Sequence, residues 1–159
     1  DDALSRGLGD VYKRQAYQYN MEGHAEGCVA KYCELANKEL KSLSRVSTPC
    51  TDDHDIPPED FETKGELSGQ AARIVLKALY LARMARLDVL WAVNVLAREV
   101  TRWNRACDKR LHRLISYIWH KASKDVVSHV GDMPKDIVLL SFVDASFAGD
   151  LEDSRSTSG

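Results

Sequence analysis

Three stretches of helical period, separated by links of a few residues, fill the chain between Ser68 and Lys121. The first, GQAARIVLKALYLARM from Gly69, places Arg73 and Lys77 on one stripe and is otherwise nearly all apolar. A helix of that kind is expected to be well buried. Ser68 just before it has the side chain of a good N-cap. The second, DVLWAVNVLAREV from Asp88, spaces Asn94, Arg98 and Arg102 by four and leaves a wide apolar face. The third runs from Asn104 to about Lys121. Its buried stripe is Cys107, Leu111, Leu114, Ile115 and Ile118, and Arg105, Lys109, His112, Arg113 and Ser116 form the opposite, basic face. Trp91, Trp103, Tyr117 and Trp119 lie inside these periods, so they read as packing residues rather than as platforms for stacked bases. Short links favour antiparallel packing of neighbours.

The flanks complete a mainly helical α+β chain: a small antiparallel helix group followed by a β-hairpin. Upstream, Ala25, Cys28, Val29, Tyr32 and Ala36 recur at three and four, which predicts an amphipathic helix within Met21–Leu40, weakened in its first turns by Gly23 and Gly27. Residues 44–66 are polar and acidic and hold Pro49, Pro57 and Pro58, the composition of an extended linker. Downstream, DVVSHV (Asp125 to Val130) predicts a short strand and GDMP a turn. IVLLSFV (Ile137 to Val143) predicts a strand covered on both faces. A lone hairpin is marginal in water, and its open edge predicts poor solubility.

At 159 residues the chain has the length of one domain. Its net charge of −2 gives no overall pull toward nucleic acid or a membrane. The distribution is uneven. Asp52, Asp53, Asp55, Glu59, Asp60, Glu62 and Glu66 make the middle acidic, and Arg102, Arg105, Lys109, Arg110, Arg113, Lys121 and Lys124 make the later part basic. That asymmetry fits either a surface facing a polyanion or two solvated faces. No apolar run is long enough to span a bilayer, and the N-terminus lacks the apolar centre of a signal peptide. Cys28, Cys33, Cys50 and Cys107 are irregularly spaced, which suits a reduced, intracellular setting, in cytoplasm or nucleus. His24, Cys28, Cys33, Cys50 and His54 can be assembled on paper into a zinc site, but the paired short spacings of structural zinc are missing. The alternative makes Cys28 and Cys33 small residues of an amphipathic helix.

The N-terminal SRGLGDVYKRQ, Ser5 to Gln15, has the glycines of a phosphate loop but neither the flanking strand nor the Lys–Ser/Thr pair such a loop needs. Every residue agrees with one reading frame of the transposase-end adapter used in preparing sequencing libraries. Residues 1–15 are therefore expected to be adapter-derived and disordered, with the natural chain beginning upstream of Ala16.

A carboxylate at the end of a buried strand, as Asp144 is placed, calls for a partner. A divalent cation with oxygen ligands is one such partner, and a turn cap is the other reading. FVDASFAGDLEDSRSTSG, from Phe142 to Gly159, resembles the start of the ribonuclease H domain of copia-type retrotransposon Pol polyproteins, with its Asp-Ala-Asp-Trp-Ala-Gly-Asp run and Ser-Thr-Ser-Gly. ARLDVLWAVNVLAREV resembles that family's Arg-Pro-Asp segment and helix. ACDKRLHRLISYIWH resembles its next helix, and STPCTDDH resembles the linker after the polymerase thumb. The likeness spans Ala16 to Gly159. Leu87 departs from the family's proline, Ser146 from an aspartate and Phe147 from a tryptophan.

The resemblance implies a division into a reverse transcriptase thumb-like helix (16–43), an acidic linker (44–66), connection helices (67–124) and a truncated start of a ribonuclease H-like domain (125–159). It implies a parent that carries out RNA-directed DNA synthesis and cleaves RNA/DNA hybrids. Asp144 would be one catalytic, metal-binding carboxylate of a site that holds Mg2+ or Mn2+ in the intact parent, where two ions sit roughly 4 Å apart. The remaining carboxylates would lie outside this chain, so the segment alone is expected to bind no metal and to be inactive. Its partners would be the rest of the polyprotein and a hybrid, touched through the phosphates by Arg105, Lys109 and Arg113. The rival expectation is a non-enzymatic helical adaptor or nucleic-acid-binding module.

Overall fold

The computed structural model describes residues 15–130, 138, 140, 141, 145, 146, 157 and 158. The chain divides into two compact units, Ala16–Ser128 and a second made of Asp1–Gln15 with His129–Gly159.

The larger unit is helical. Its helices are α1 (Glu22–Ala36), α2 (Pro58–Glu62), α3 (Ala71–Met84), α4 (Leu90–Arg98) and α5 (Arg105–His120). Helices α1, α3, α4 and α5 form a closed ring, α1 against α3, α3 against α4, α4 against α5 and α5 back against α1. The apolar stripes of all four meet in the middle. Tyr32, Ile74, Leu81, Leu96, Leu111, Leu114, Ile115 and Ile118 are fully buried there. Each such side chain contributes about 1.5–3 kcal/mol, so the four from α5 fix that helix in place despite its polar outer face.

Helix ends depart from the sequence reading for local reasons. α1 stops at Ala36 rather than near Leu40, because Asn37 turns left-handed at φ 50° and both Asn37 and Lys38 donate to the Cys33 carbonyl. Asparagine tolerates that conformation better than most residues. Ser68 does not cap α3. That helix begins two residues later, where Gln70 and Ala71 donate to the Leu67 carbonyl. Asn104 does cap α5, its side chain accepting from the Cys107 amide at 2.9 Å. Gly27, which propensity marks as a weakness, lets Lys77 of α3 run across α1. A Cβ there would meet the lysine Nζ at 3.2 Å.

The expected burial of α3 is only partly found. Leu76, Tyr80 and Met84 are exposed along one side, and Trp91 of α4, expected in the core, is 67% exposed. The ring has an inside and an outside, and of the outward apolar row Tyr80 meets the His24 ring at 5.1 Å between centroids. On α5, Ser116 lies on the buried side, its hydroxyl donating to the His112 carbonyl at 2.8 Å.

Residues 44–66 are not an extended linker. They hold a 3₁₀ turn at Asp53–Asp55 and helix α2, opened by Pro58 in its first turn, where a missing N–H costs nothing. Leu43 and Ile56 are buried, Val46 and Cys50 partly so. The segment is packed along α5 within the same unit.

Two short sheets are formed among the described residues. Strand β2 (Val126–Val130) forms where predicted, and it is paired with β1 (Gln15–Tyr19) in a two-stranded sheet. Gln18 donates to the Asp125 carboxylate at 2.6 Å beside it. Of the expected central strand only Val138, Leu140 and Ser141 are described. They belong to no strand, and Val138 and Leu140 are 74% and 70% exposed. In the second unit β3 (Ala145–Ser146) pairs antiparallel with β4 (Thr157–Ser158), Ala145 opposite Ser158. The chain is thus mainly helical with small two-stranded sheets. Residues 1–14, expected to be disordered, lie outside the described residues.

Candidate nucleic-acid interface

The basic face of α5 exists, and a strap of chain from Thr48 to Leu67 lies along it. Arg113 donates to the Thr48 carbonyl and hydroxyl at 3.2 and 3.0 Å. Arg110 pairs with Asp53 at 2.5 Å and stacks over Phe61, 5.3 Å from the ring centre. Lys109 pairs with Asp60, and Arg105 reaches the same carboxylate at 3.7 Å. Asp60 is itself 3% exposed. A carboxylate buried that deeply is tolerated because two cations sit against it.

The C-terminal end of the strap is fixed by main-chain bonds. Thr63 accepts from Arg105 at 2.8 Å, Trp103 accepts from Gly65 at 3.2 Å, and Lys64 and Asn104 form an antiparallel bridge. Asp108 of α5 closes the joint. Its carboxylate accepts from the Glu66 amide at 2.6 Å, the Leu67 amide at 3.3 Å and the Trp103 indole at 2.7 Å. An acid in the first turn of a helix is also favoured by the helix dipole. The N-terminal end of the strap has apolar anchors, but its polar ties to α5 run through side chains.

Beside this joint lies a cleft of about 390 Å³, between the C-terminal end of α1 and the first half of α5. Leu35, Ala36 and Leu67 line its apolar part, and Lys38, Arg105 and Lys109 bring positive charge. The Tyr32 hydroxyl and His112 Nδ1 are 2.8 Å apart at its side. Burial first, then the charge of Lys38, lowers the His112 pKa, and a backbone bond with Ser42 opposes this. His112 is therefore a neutral, half-buried ring and not the solvated polar-face residue the period suggested.

The three residues expected to contact phosphates are thus brought to one helix face. Arg105 and Lys109 are about half exposed while paired. Arg113 is tied to Thr48. Arg110 belongs with them and was not among the sequence candidates. Asp53 and Asp60, read as linker acids, are the partners of that face. The complementary signs of the two charge runs were the available signal, but charge runs carry no register.

Asp144 lies outside the described residues. Among the described residues no group of three or more His, Cys, Asp or Glu side chains is arranged to hold a metal ion. The paper zinc set is not assembled: His24 Nε2 is 3.1 Å from the Lys77 carbonyl, and Cys28 is fully buried with its thiol pushed up to about 11 by burial. Burial likewise raises Cys33, Cys50 and Cys107, so all the cysteines are protonated thiols without disulfides. No described helix is long and apolar enough to cross a membrane. No family model, curated protein or solved structure matches the chain.

Proposed function

We propose that the chain is a segment of a copia-type retrotransposon Pol polyprotein, running from the polymerase thumb through the connection to the first strand of ribonuclease H. The parent synthesises DNA on RNA and cleaves the hybrid, and α5 contacts the phosphates of that hybrid. The observation that supports this best is the row Arg105, Lys109, Arg110 and Arg113 on one face of one rigidly packed helix. Such contacts position a duplex without reading its sequence. Mg2+ or Mn2+ would act in the ribonuclease H site of the parent, with Asp144 as one ligand.

The deciding experiment uses the intact parent. Asp144→Asn removes one metal ligand from one site, so hybrid cleavage is lost while DNA synthesis persists. Equal loss of both activities, or of neither, sinks the assignment. The reading frame around this segment gives an independent check, through paired aspartates upstream and further carboxylates downstream.

A non-enzymatic helical adaptor is the second reading. The exposed row Leu76, Tyr80, Met84, Leu87 and Trp91 favours it, since contiguous outward apolar side chains mark contact surfaces. A reading frame lacking those acids would select it.

A further inference from the structure

We propose that the strap is a built-in competitor for the polyanion face of α5: Asp53 occupies the position that a phosphate oxygen takes at Arg110 when a hybrid binds. The inference rests on the reading of α5 as a phosphate-contacting helix and goes further, by naming what must leave before contact is made.

Three features carry it. The acids of the strap meet the cations of α5 one to one or one to two, at contact distance, rather than spreading into solvent. Arg110 is only 17% exposed, because Asp53 and Phe61 cover it. It cannot reach a phosphate while that pair persists. Asp53 itself is 67% exposed, on a 3₁₀ turn that its ion pair ties to Arg110 of α5. An exposed pair of this kind contributes about 0–1 kcal/mol, so an array of phosphates can replace it. The apolar anchor Ile56 stays buried in the exchange. The competition is between side chains and needs no unfolding of the strap. A carboxylate and a phosphate oxygen make the same kind of charge-assisted bond with a guanidinium, which is why one can stand in for the other.

The test compares three full chains by fluorescence anisotropy with a labelled 20-base-pair RNA/DNA hybrid across a salt series. They are the wild type, Asp53→Asn, and Asp55→Asn. The two variants change net charge equally, but Asp55 pairs with no described cation, so general electrostatics alone would affect both alike. Expected is a hybrid affinity about 3- to 10-fold higher for Asp53→Asn, with a salt slope steeper by about 0.9, the signature of one more phosphate contact. Asp55→Asn stays within about 2-fold of wild type. Adding Arg110→Gln to Asp53→Asn removes the gain. Both acids lie on the surface turn, and unchanged thermal melting confirms that each variant folds. If wild type binds and the two variants behave alike, the competitor is refuted while phosphate contact stands. If no form binds the hybrid at low salt, phosphate contact by α5 fails and the competitor fails with it.

Discussion

Arg86 and Asp88, two residues apart, form a two-pronged ion pair, Nε to Oδ1 at 2.8 Å and Nη2 to Oδ2 at 3.0 Å. The arginine is 2% exposed, and its third nitrogen donates to the Lys121 carbonyl at the end of α5 at 2.8 Å. Tyr117 of α5 lies under the guanidinium and donates its hydroxyl to Asp88 at 3.0 Å. The pair therefore ties the α3–α4 turn to the last turn of α5. Burial raises the Asp88 pKa, but the bond and charge of Arg86, with Tyr117 and Lys124, outweigh it and keep the carboxyl ionised well into acid.

Replacing Arg86 by alanine costs about 3–5 kcal/mol, because the remaining partner is a partly buried carboxylate. Lysine recovers little of that, since an ammonium cannot meet a carboxylate and a carbonyl with a planar fork. Urea midpoints at neutral pH measure both. A loss under about 1 kcal/mol for alanine contradicts the clamp.

His112 makes stability depend on pH near neutrality. An unfolded histidine takes its proton at about 6.5. In the fold, burial and Lys38 hold the ring below that value. The unfolded chain therefore binds more protons between the two values. Stability from this group is full above about 6.5 and is lost as pH falls toward the folded pKa. The His112 ring signals in NMR should titrate below about 6.5. Lys38→Gln should move that midpoint upward, and an unmoved midpoint would remove the lysine from the account.

Gly65 and Gly69 should respond to alanine in opposite ways. A Cβ on Gly65 would stand 2.6 Å from both the Asn104 carbonyl oxygen and Trp103 Cδ1, where the strap crosses α5. Overpacking of that kind costs about 1–3 kcal/mol. A Cβ on Gly69 meets nothing within 4 Å, so Gly69→Ala should be neutral or raise stability by up to about 1 kcal/mol. Thermal melting of the two variants gives the comparison, and equal melting points would mean the strap joint is loose.

Leu87→Pro should be tolerated. Leu87 opens the 3₁₀ turn Leu87–Val89 and is 63% exposed. The residue before it, Arg86, is already outside the helical region, which a following proline disfavours, at φ −128° and ψ 61°. The fixed proline φ of about −65° suits a helix entry. The expected gain is about 0.4–1 kcal/mol from the stiffer unfolded chain. A clear fall in melting temperature would show that the Leu87 amide or side chain is needed.

Much of the helical unit was legible one element at a time. The stripe Cys107, Leu111, Leu114, Ile115 and Ile118 was named from its spacing and is buried as named. Asn104, where α5 was expected to begin, is its cap. The misses share a cause. Nothing near Gln15–Tyr19 announces a strand, because its partner lies more than a hundred residues away. Leu76 and Trp91 were assigned to the core because apolar character says that a side chain can be buried, not that a neighbour arrives to bury it. Arg105, Lys109 and Arg113 share one helix face as their spacing indicated, but the acid that pairs with Arg105 and Lys109 looked like part of a linker.

By itself the sequence determined where the four long helices lie, which stripe of α5 turns inward and where the chain is acidic or basic. These follow from neighbours within four residues, where the 3.6-residue repeat fixes geometry. Only the tertiary structure decided that Asp53 and Asp60 close over Arg110 and Lys109, that Arg86 spans from a turn to a distant helix end, and that His112 is neutral. Each of those depends on residues far apart in the chain meeting where water is excluded. The energy of a charge is set there by its partner and its burial, and neither is written in the local sequence.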